Sequence, residues 1–157
     1  NTSDPEILNQ VLVNYDQKTK DFFRWTVSYT QEKLARLIEE KTSLHFGEIL
    51  DLIPLERGKS GRIIRLKVVG SKLTYIFGKE LEIRKILSDS HLYSSAFVCD
   101  KLDYVDDVPQ RFQLVGAGWG HGVGLCQIGA AVMGEKGYKY EQILFHYFKD
   151  AMIKKKY

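Results

Sequence analysis

Several classes of protein are excluded by what this sequence lacks. Its 157 residues carry a formal net charge of only +3, and no apolar run approaches the length of a membrane-spanning helix. The lysines at 154–156 supply part of the basic excess and are more typical of a solvated surface than of a nucleic-acid-binding patch. Two cysteines, Cys99 and Cys126, are too few for a disulfide framework. The composition therefore predicts one globular domain over residues 1–157, without nucleic acid as a partner.

Standard nucleotide-binding motifs are also missing from the glycine-rich part of the chain. A dinucleotide fingerprint needs G-x-G-x-x-G between a strand and a helix, whereas Gly120, Gly122 and Gly124 are separated by single residues. The run that contains them does not end in the Gly-Lys-Ser or Gly-Lys-Thr of a P-loop. We therefore expect no nucleotide cofactor.

Metal-binding patterns are not matched either. The three aspartates within residues 103–107 lack the spacing and the glycine of an EF-hand, which favours a solvated loop. His121 and Cys126 lie five residues apart, with His146 further along, and this is not the spacing of a standard zinc site. Convergence of these three residues on a metal, or a Cys–His nucleophilic pair, stays an alternative. The apolar neighbours of Cys126 instead favour a small buried side chain, and we expect no metal.

The most informative feature is a run of glycines. Residues 116–133 read GAGWGHGVGLCQIGAAVM, with six glycines in fourteen positions. Glycine loses more backbone entropy on folding than any other residue, so this density is expected only where the backbone needs positive φ or a close approach. Because His121 and Gln127 lie in the same run, it predicts the wall of a binding site.

The first half of the chain predicts helices and strands in alternation. A short helix is expected at 4–15, and apolar residues alternate with polar ones from Phe23 to Tyr29, which is the period of a strand. Thr30 is a candidate N-cap for a helix with Leu34, Leu37 and Ile38 on its apolar face. A strand is expected at 49–55, where Pro54 places it at an edge or at its own end.

The second half predicts a hairpin, more strands and two closing helices. Two strands at 64–68 and 73–77 flank a two-residue Gly70-Ser71 turn, and a short helix follows around 81–87. Strands are expected at 95–99 and 112–115. Helices at 128–135, closed by Gly137, and at 140–149 follow the glycine run. The predicted class is α+β, with a mainly antiparallel sheet, short helices and a C-terminal helix pair after a glycine-rich loop.

The glycine run and several earlier motifs resemble a known family. The run GWGHGVGLCQIGA at 118–130, followed by Met133, Gly137 and the segment 140–147, is similar to the C-terminal signature of SpoIID/LytB proteins. These are stage II sporulation protein D and its amidase-enhancer relatives. Other motifs occur in the same order, from about residue 20 onward: FRW at 23–25, Arg57 with SGR at 60–62, IR at 83–84, and SS-x-F at 94–97.

The resemblance implies work on peptidoglycan. Sporulation protein D-like enzymes are lytic transglycosylases that cut glycan strands already stripped of stem peptides. A carboxylic acid protonates the glycosidic oxygen and then, as carboxylate, takes the proton of the muramic C6 hydroxyl, which closes a 1,6-anhydro ring. Since no water nucleophile is needed, a second carboxylate is not required, in contrast to most glycosidases.

The sequence departs from the family in two places. The catalytic glutamate of the family lies in an upstream segment that nothing in this chain matches, so we expect this chain to be the part without its acid, and inactive alone. The other glutamates are expected at the surface: Glu48, Glu56, Glu80, Glu82, Glu135 and Glu141. Cys126 stands where the family usually has a hydroxyl residue, and a thiol is the weaker hydrogen-bond partner.

The family motifs also nominate supporting and substrate-binding residues. Gln127 is a candidate for hydrogen bonds to sugar acetamido or hydroxyl groups. His121 is a candidate to polarise the missing acid or to bind a glycan oxygen, or else it braces the glycine loop. Trp119 offers a face for a sugar ring, or else belongs to the core.

Two arginines and two serines complete the predicted set. Arg62 and Arg84 are candidates to hold the lactyl carboxylate of peptide-free muramic acid, with surface ion pairs as the alternative. Ser94 and Ser95 are candidate substrate contacts or structural caps.

Two functions are therefore expected from the resemblance. One is a lytic transglycosylase on peptide-stripped glycan strands; the other is a non-catalytic module that binds glycan or enhances a cell-wall amidase. Because peptidoglycan lies outside the cytoplasmic membrane, the protein is expected to be extracytoplasmic. The chain begins with Asn1 and shows no signal peptide, so export or anchoring is expected to use an N-terminal segment that precedes it.

Overall fold

The computed structural model describes residues 23–156 and confirms the α+β class. The described chain contains two antiparallel three-stranded sheets and four short helices. In chain order the elements are β1 (Arg24–Thr30), α1 (Gln31–Thr42), β2 (Ile49–Arg57), β3 (Ile63–Gly70), β4 (Thr74–Gly78), α2 (Glu80–Ile86), β5 (Phe97–Val105), β6 (Val108–Ala117), α3 (Gln127–Glu135) and α4 (Tyr140–Tyr147). The helix predicted at 4–15 lies outside the described residues. No helix within 23–156 is long and apolar enough to cross a membrane.

The chain divides into two compact units. The first, which we call the sheet unit, spans Asp21–His121 and contains both sheets, α1 and α2. The described residues of the second run from 122 to 156; we call them the helix-pair unit, because they contain α3 and α4.

The sheet unit has strand orders β1-β6-β5 and β2-β3-β4. β2 is an edge strand, as Pro54 predicts, and its register shifts next to that residue. Eighteen buried residues from both sheets and both helices form one core. Among them are Leu34, Leu37 and Ile38, the predicted apolar face of α1. The hydroxyl of Thr30 accepts a hydrogen bond from the Lys33 amide at 3.2 Å, which confirms the predicted N-cap.

The β3–β4 hairpin is present, but its turn is one residue later than predicted. Val69 pairs with Thr74, and the Gly70 amide donates to the Leu73 carbonyl at 2.8 Å, so Ser71 and Lys72 form the two-residue turn. Gly70 is needed for a different reason. A Cβ at Gly70 would lie 2.4 Å from the carbonyl oxygen of Phe46, so the glycine permits close packing.

The β5–β6 hairpin is longer than the two strands predicted there. β5 runs to Val105 and pairs with Val108, which leaves Asp106 and Asp107 as the turn. Their φ angles of 47° and 64° are those of a type I′ hairpin turn, which requires positive φ at both positions. Asp103 lies within β5, and its carboxylate forms a salt bridge with Nε of Arg111 at 2.7 Å. The predicted solvated loop is therefore a tight, exposed hairpin turn preceded by strand.

The helix-pair unit is held by local bonds at its helix ends. α3 ends at Glu135, and Gly137 follows with a φ of +82°. The Gly137 amide donates to Gly134 at 3.0 Å and the Tyr138 amide to Met133 at 3.1 Å, which is a Schellman motif. The predicted closing glycine is confirmed.

Candidate functional site

The glycine loop, residues 117–121, is fixed to the sheet unit through its backbone. Gly118 and Gly120 have φ of +71° and +83°, and each uses both its amide and its carbonyl in hydrogen bonds. The four bonds join the Gly118 amide to Phe23 O (3.1 Å), Trp25 Nε1 to Gly118 O (3.2 Å), the Gly120 amide to Tyr93 O (2.8 Å) and Arg62 Nε to Gly120 O (2.7 Å). The glycine backbone therefore faces the protein at these positions.

The two large side chains of the loop are exposed. The Trp119 side chain is 57% exposed, and His121 is exposed as well. Trp119 is not part of the core, whereas Trp25, only 5% exposed, is. Gly116 allows the Trp25 ring to pack against the backbone, since a Cβ at Gly116 would lie 2.1 Å from that ring. The loop therefore exposes the Trp119 ring, while the hydrogen bonds of Gly118 and Gly120 hold its backbone to the sheet unit.

The two predicted serines are buried beneath the loop and bind backbone groups. The Ser94 hydroxyl donates to the Ala117 carbonyl at 2.7 Å and accepts from the Ala96 amide at 3.1 Å. The Ser95 hydroxyl donates to the Ile63 carbonyl at 3.0 Å. Both serines are fully buried, so their hydroxyls join β3, β5 and the loop together rather than lining a surface.

Arg62 is half-buried and lies beside the loop. Its Nε bonds the Gly120 carbonyl, and its Nη2 lies 3.5 Å from the Trp119 carbonyl. Burial lowers the pKa of Arg62, Glu80 acts in the opposite direction, and Arg84 lowers that pKa further. The guanidinium therefore stands in a partly desolvated cluster with one acidic and one basic neighbour.

Arg84 occupies the interior of this cluster. Its Nε donates to the Leu92 carbonyl at 2.6 Å, and its Nη1 lies 3.2 Å from the Glu80 carboxylate. The Arg84 and Glu80 side chains are only 7% and 13% exposed. The two predicted arginines are thus unequal, because Arg84 is engaged inside the unit and Arg62 reaches its surface.

Glu80 was expected at the surface, and that expectation is wrong. Its carboxylate is paired with Arg84 and influences Arg62, so it belongs to the site's supporting structure. The i, i+4 spacing of Glu80 and Arg84 on a helix is the sequence signal that would have found this pair. With two guanidinium groups and one carboxylate, the cluster carries one excess positive charge next to the exposed Trp119.

Cys126 and Gln127 belong to the helix-pair unit. Cys126 is the N-cap of α3, and its Sγ accepts from the Gly129 amide at 3.4 Å. The interpretation of Cys126 as a small buried side chain is wrong, since the residue is exposed at the helix start. Gln127 is the first residue of α3 and is exposed. The thiol thus takes the capping role that a hydroxyl residue usually plays.

No metal cluster is formed by the described part of the chain. No group of three or more His, Cys, Asp or Glu residues within 23–156 could hold a metal ion. His146 is exposed and places its ring edge-on against Tyr147, with centroids 4.8 Å apart.

A surface groove of about 600 Å³ lies elsewhere in the sheet unit, between α1 and the β3–β4 turn. His45 bridges its wall, with Nδ1 3.0 Å from the Glu39 carboxylate and Nε2 3.0 Å from the Lys72 ammonium. None of the sequence-predicted site residues lines this groove. The groove is open, its wall carries a hydrogen-bond network of Glu39, His45 and Lys72, and none of the glycine-loop residues lines it.

Comparison with known proteins gives a family but no activity. No curated protein matches the chain. The family model for the domain of unknown function DUF8618 matches residues 1–124, which includes the strands, the Arg62 cluster and the glycine loop. Because this match covers more than half of the sequence, the chain belongs to the DUF8618 family.

Proposed function

We propose that the sheet unit binds peptide-stripped glycan strands of peptidoglycan, as part of a SpoIID-like lytic transglycosylase. The observation that carries this proposal is the pairing of the exposed Trp119 with the half-buried Arg62 and the excess positive charge of its cluster. An aromatic face and an adjacent guanidinium are suited to a sugar ring that carries a carboxylate.

Peptide-free muramic acid has this chemistry. Hydrolysis of the lactyl amide releases the stem peptide and leaves a lactyl carboxylate, so each stripped muramic acid carries a negative charge close to its sugar ring. Arginine binds carboxylates through two parallel hydrogen bonds, and Nε of Arg62 is already used on Gly120. Nη2 also approaches the Trp119 carbonyl at 3.5 Å, so Nη1 and the second hydrogen of Nη2 are the donors left for a ligand carboxylate. Arg84 is assigned instead to holding Glu80, which revises its predicted role as a substrate contact.

The transglycosylase step needs an acid as well as this binding surface. The acid protonates the glycosidic oxygen as the C1–O bond breaks, the muramic C6 hydroxyl attacks C1, and the resulting carboxylate takes the hydroxyl proton. Glu80 is poorly placed for this, because it is 13% exposed and committed to Arg84. We therefore assign the acid to a segment other than this unit, as the family resemblance implies.

The burial of Glu80 favours a second candidate, a glycan-binding module without catalysis that assists a cell-wall amidase. The Glu80 carboxylate, which neighbours Arg62 and Arg84, is paired with Arg84 inside the protein and is not presented to a ligand. A binding module needs Trp119 and Arg62 but no acid, and an amidase produces the stripped strands that it would hold.

Binding is tested with amidase-stripped glycan strands and with the same strands after their lactyl carboxylates are coupled to methylamine. We expect the chain to bind the carboxylate form about tenfold more tightly, and Trp119→Ala to weaken both about tenfold. Arg62→Gln should abolish the preference for the carboxylate form. Tyr75→Ala and Arg65→Gln are matched controls, since these residues are exposed elsewhere in the same unit. Equal binding of both forms by the unmodified chain would refute the role of Arg62.

Catalysis is tested by mass spectrometry of digested strands. The chain is compared with a longer protein that carries the native upstream segment. If 1,6-anhydro-muramic ends appear only with the longer protein, the transglycosylase proposal is supported. Binding without anhydro ends from either protein supports the non-catalytic module instead.

A further inference from the structure

The net charge of the chain is concentrated in the segment 122–157, which contains the helix-pair unit. Residues 122–157 contain six lysines against three acidic residues, whereas residues 1–121 contain seventeen charged residues of each sign. The whole formal charge of +3 therefore belongs to the segment that contains α3 and α4.

The same unit leaves its large apolar side chains exposed. Within residues 122–156 only Val132 is a buried hydrophobic residue. α4 has no buried residue, and six large apolar side chains between residues 138 and 153 are between 42% and 78% exposed: Tyr138, Tyr140, Phe145, Phe148, Met152 and Ile153. Scattered single apolar residues are ordinary on a surface, but six within sixteen positions are not.

Apolar and basic residues are adjacent in the segment 148–156. All nine of its residues are exposed, and they read FKDAMIKKK. Met152 and Ile153, at 78% and 46% exposure, directly precede the lysines at 154–156. Apolar and basic side chains are therefore both accessible to solvent within the same nine residues. This segment also lies beyond residue 124, where the DUF8618 match ends.

We propose that the segment 148–156 docks the protein onto the surface of an anionic lipid bilayer. Lysines attract the negative headgroups, while methionine, isoleucine and phenylalanine enter the interface between headgroups and acyl chains. A nucleic acid or an anionic polysaccharide would satisfy the lysines but offers no apolar layer for Met152 and Ile153. The segment would bind at the membrane surface without crossing it. This contact would be separate from any anchor supplied by the expected upstream segment.

The proposal does not depend on glycan binding. Trp119 and Arg62 lie in the other unit, and the tested substitutions are different. A chain that fails to bind glycan but floats with anionic vesicles would refute the proposed function and leave this inference intact.

Vesicle flotation of the full chain tests the inference. Vesicles of phosphatidylcholine with phosphatidylglycerol are compared with vesicles of phosphatidylcholine alone. We expect binding to the anionic vesicles that weakens as salt is raised, and little binding to the neutral ones. Replacing the three lysines at 154–156 with glutamine should lower the partition coefficient about 100-fold, since each lysine near an anionic surface contributes about 1 kcal/mol. Lys33→Gln, Lys41→Gln and Lys72→Gln together are the control, because these lysines are exposed in the sheet unit.

The apolar contribution separates a bilayer from other polyanions. Met152→Ser with Ile153→Ser should lower vesicle binding about tenfold and leave binding to heparin unchanged. If this double variant binds vesicles as well as the parent, the contact is only electrostatic and the proposal is wrong. Equal binding to neutral vesicles, or an equal loss in the control variant, would overturn it as well.

Discussion

The two units bury their apolar residues to very different extents. The sheet unit builds an eighteen-residue core from strands and helices that are distant in sequence, while the described helix-pair unit buries one hydrophobic residue, Val132. The first is therefore stabilised by long-range packing, and the second by local bonds such as the Schellman motif after α3. The apolar side chains that the described helix-pair unit leaves exposed are also accessible to a partner.

Removing one phenylalanine from each unit should give the largest contrast. Phe112 is fully buried in β6, whereas Phe145 in α4 is 44% exposed. We expect Phe112→Ala to lower the free energy of unfolding by about 3–5 kcal/mol because it leaves a cavity in a packed core. Phe145→Ala should change it by less than about 0.5 kcal/mol.

Guanidinium unfolding followed by tryptophan fluorescence measures the effect of Phe112→Ala, and amide hydrogen exchange across α4 measures the effect of Phe145→Ala. Trp25 and Trp119 are the two tryptophans of the chain, and both belong to the sheet unit, so the signal reports that unit alone. A loss of several kcal/mol with Phe145→Ala would show that the units do not differ as their burial indicates.

The two cysteines provide a second contrast, since each unit contains one. Burial, then the nearby Asp51 and Asp100, raise the pKa of Cys99 to about 12, while Cys126 is exposed. At pH 8 the Cys99 thiol should react with a disulfide reagent ~10³-fold more slowly in the folded than in the denatured protein, because so little thiolate is present. Since its pKa is higher in the folded state, stability should fall as pH rises from about 9 toward 12.

Single-cysteine variants make this measurement unambiguous. Cys126→Ser leaves Cys99 as the reporter and supplies a hydroxyl oxygen in place of the helix-capping Sγ, and Cys99→Ser leaves Cys126 as the reporter. Rapid reaction of Cys99 at pH 8 in the folded Cys126→Ser variant would contradict the burial of that thiol.

The sequence predicted the features that depend on local pattern. The Thr30 cap, the apolar face of α1, the edge position of β2 and the Gly137 terminator each follow from a few neighbouring residues, and each is confirmed. The Gly70-Ser71 turn was misplaced by one residue because the glycine is required by Phe46, which comes from a different part of the chain. Local sequence cannot reveal such a contact.

The candidate site shows the same limit more sharply. Arg62 and Arg84 look equivalent in sequence. In the structure Arg84 is paired with Glu80 and has a structural role. Arg62 bonds the Gly120 carbonyl and stays at the surface. These partners come from α2, from the turn before β3 and from the glycine loop, and only the tertiary fold brings them together. The two tryptophans also differ only in the folded chain, where Trp25 is buried against Gly116 and Trp119 is exposed.

Two glycine substitutions, one in each unit, should give the smallest difference in stability. We expect the two changes to have opposite signs. Gly70→Ala places a Cβ 2.4 Å from the Phe46 carbonyl oxygen, a backbone atom that cannot rotate away, so the sheet unit should lose about 1–3 kcal/mol. Gly134 lies in α3 with nothing within 4 Å of an added Cβ, and Gly134→Ala should stabilise that helix by about 0.5–1 kcal/mol. Fluorescence-detected unfolding measures the first change, and amide hydrogen exchange across α3 measures the second. Faster exchange in Gly134→Ala would mean that the helix is limited by its contacts rather than by its backbone entropy, and the account of this unit as locally stabilised would then fail.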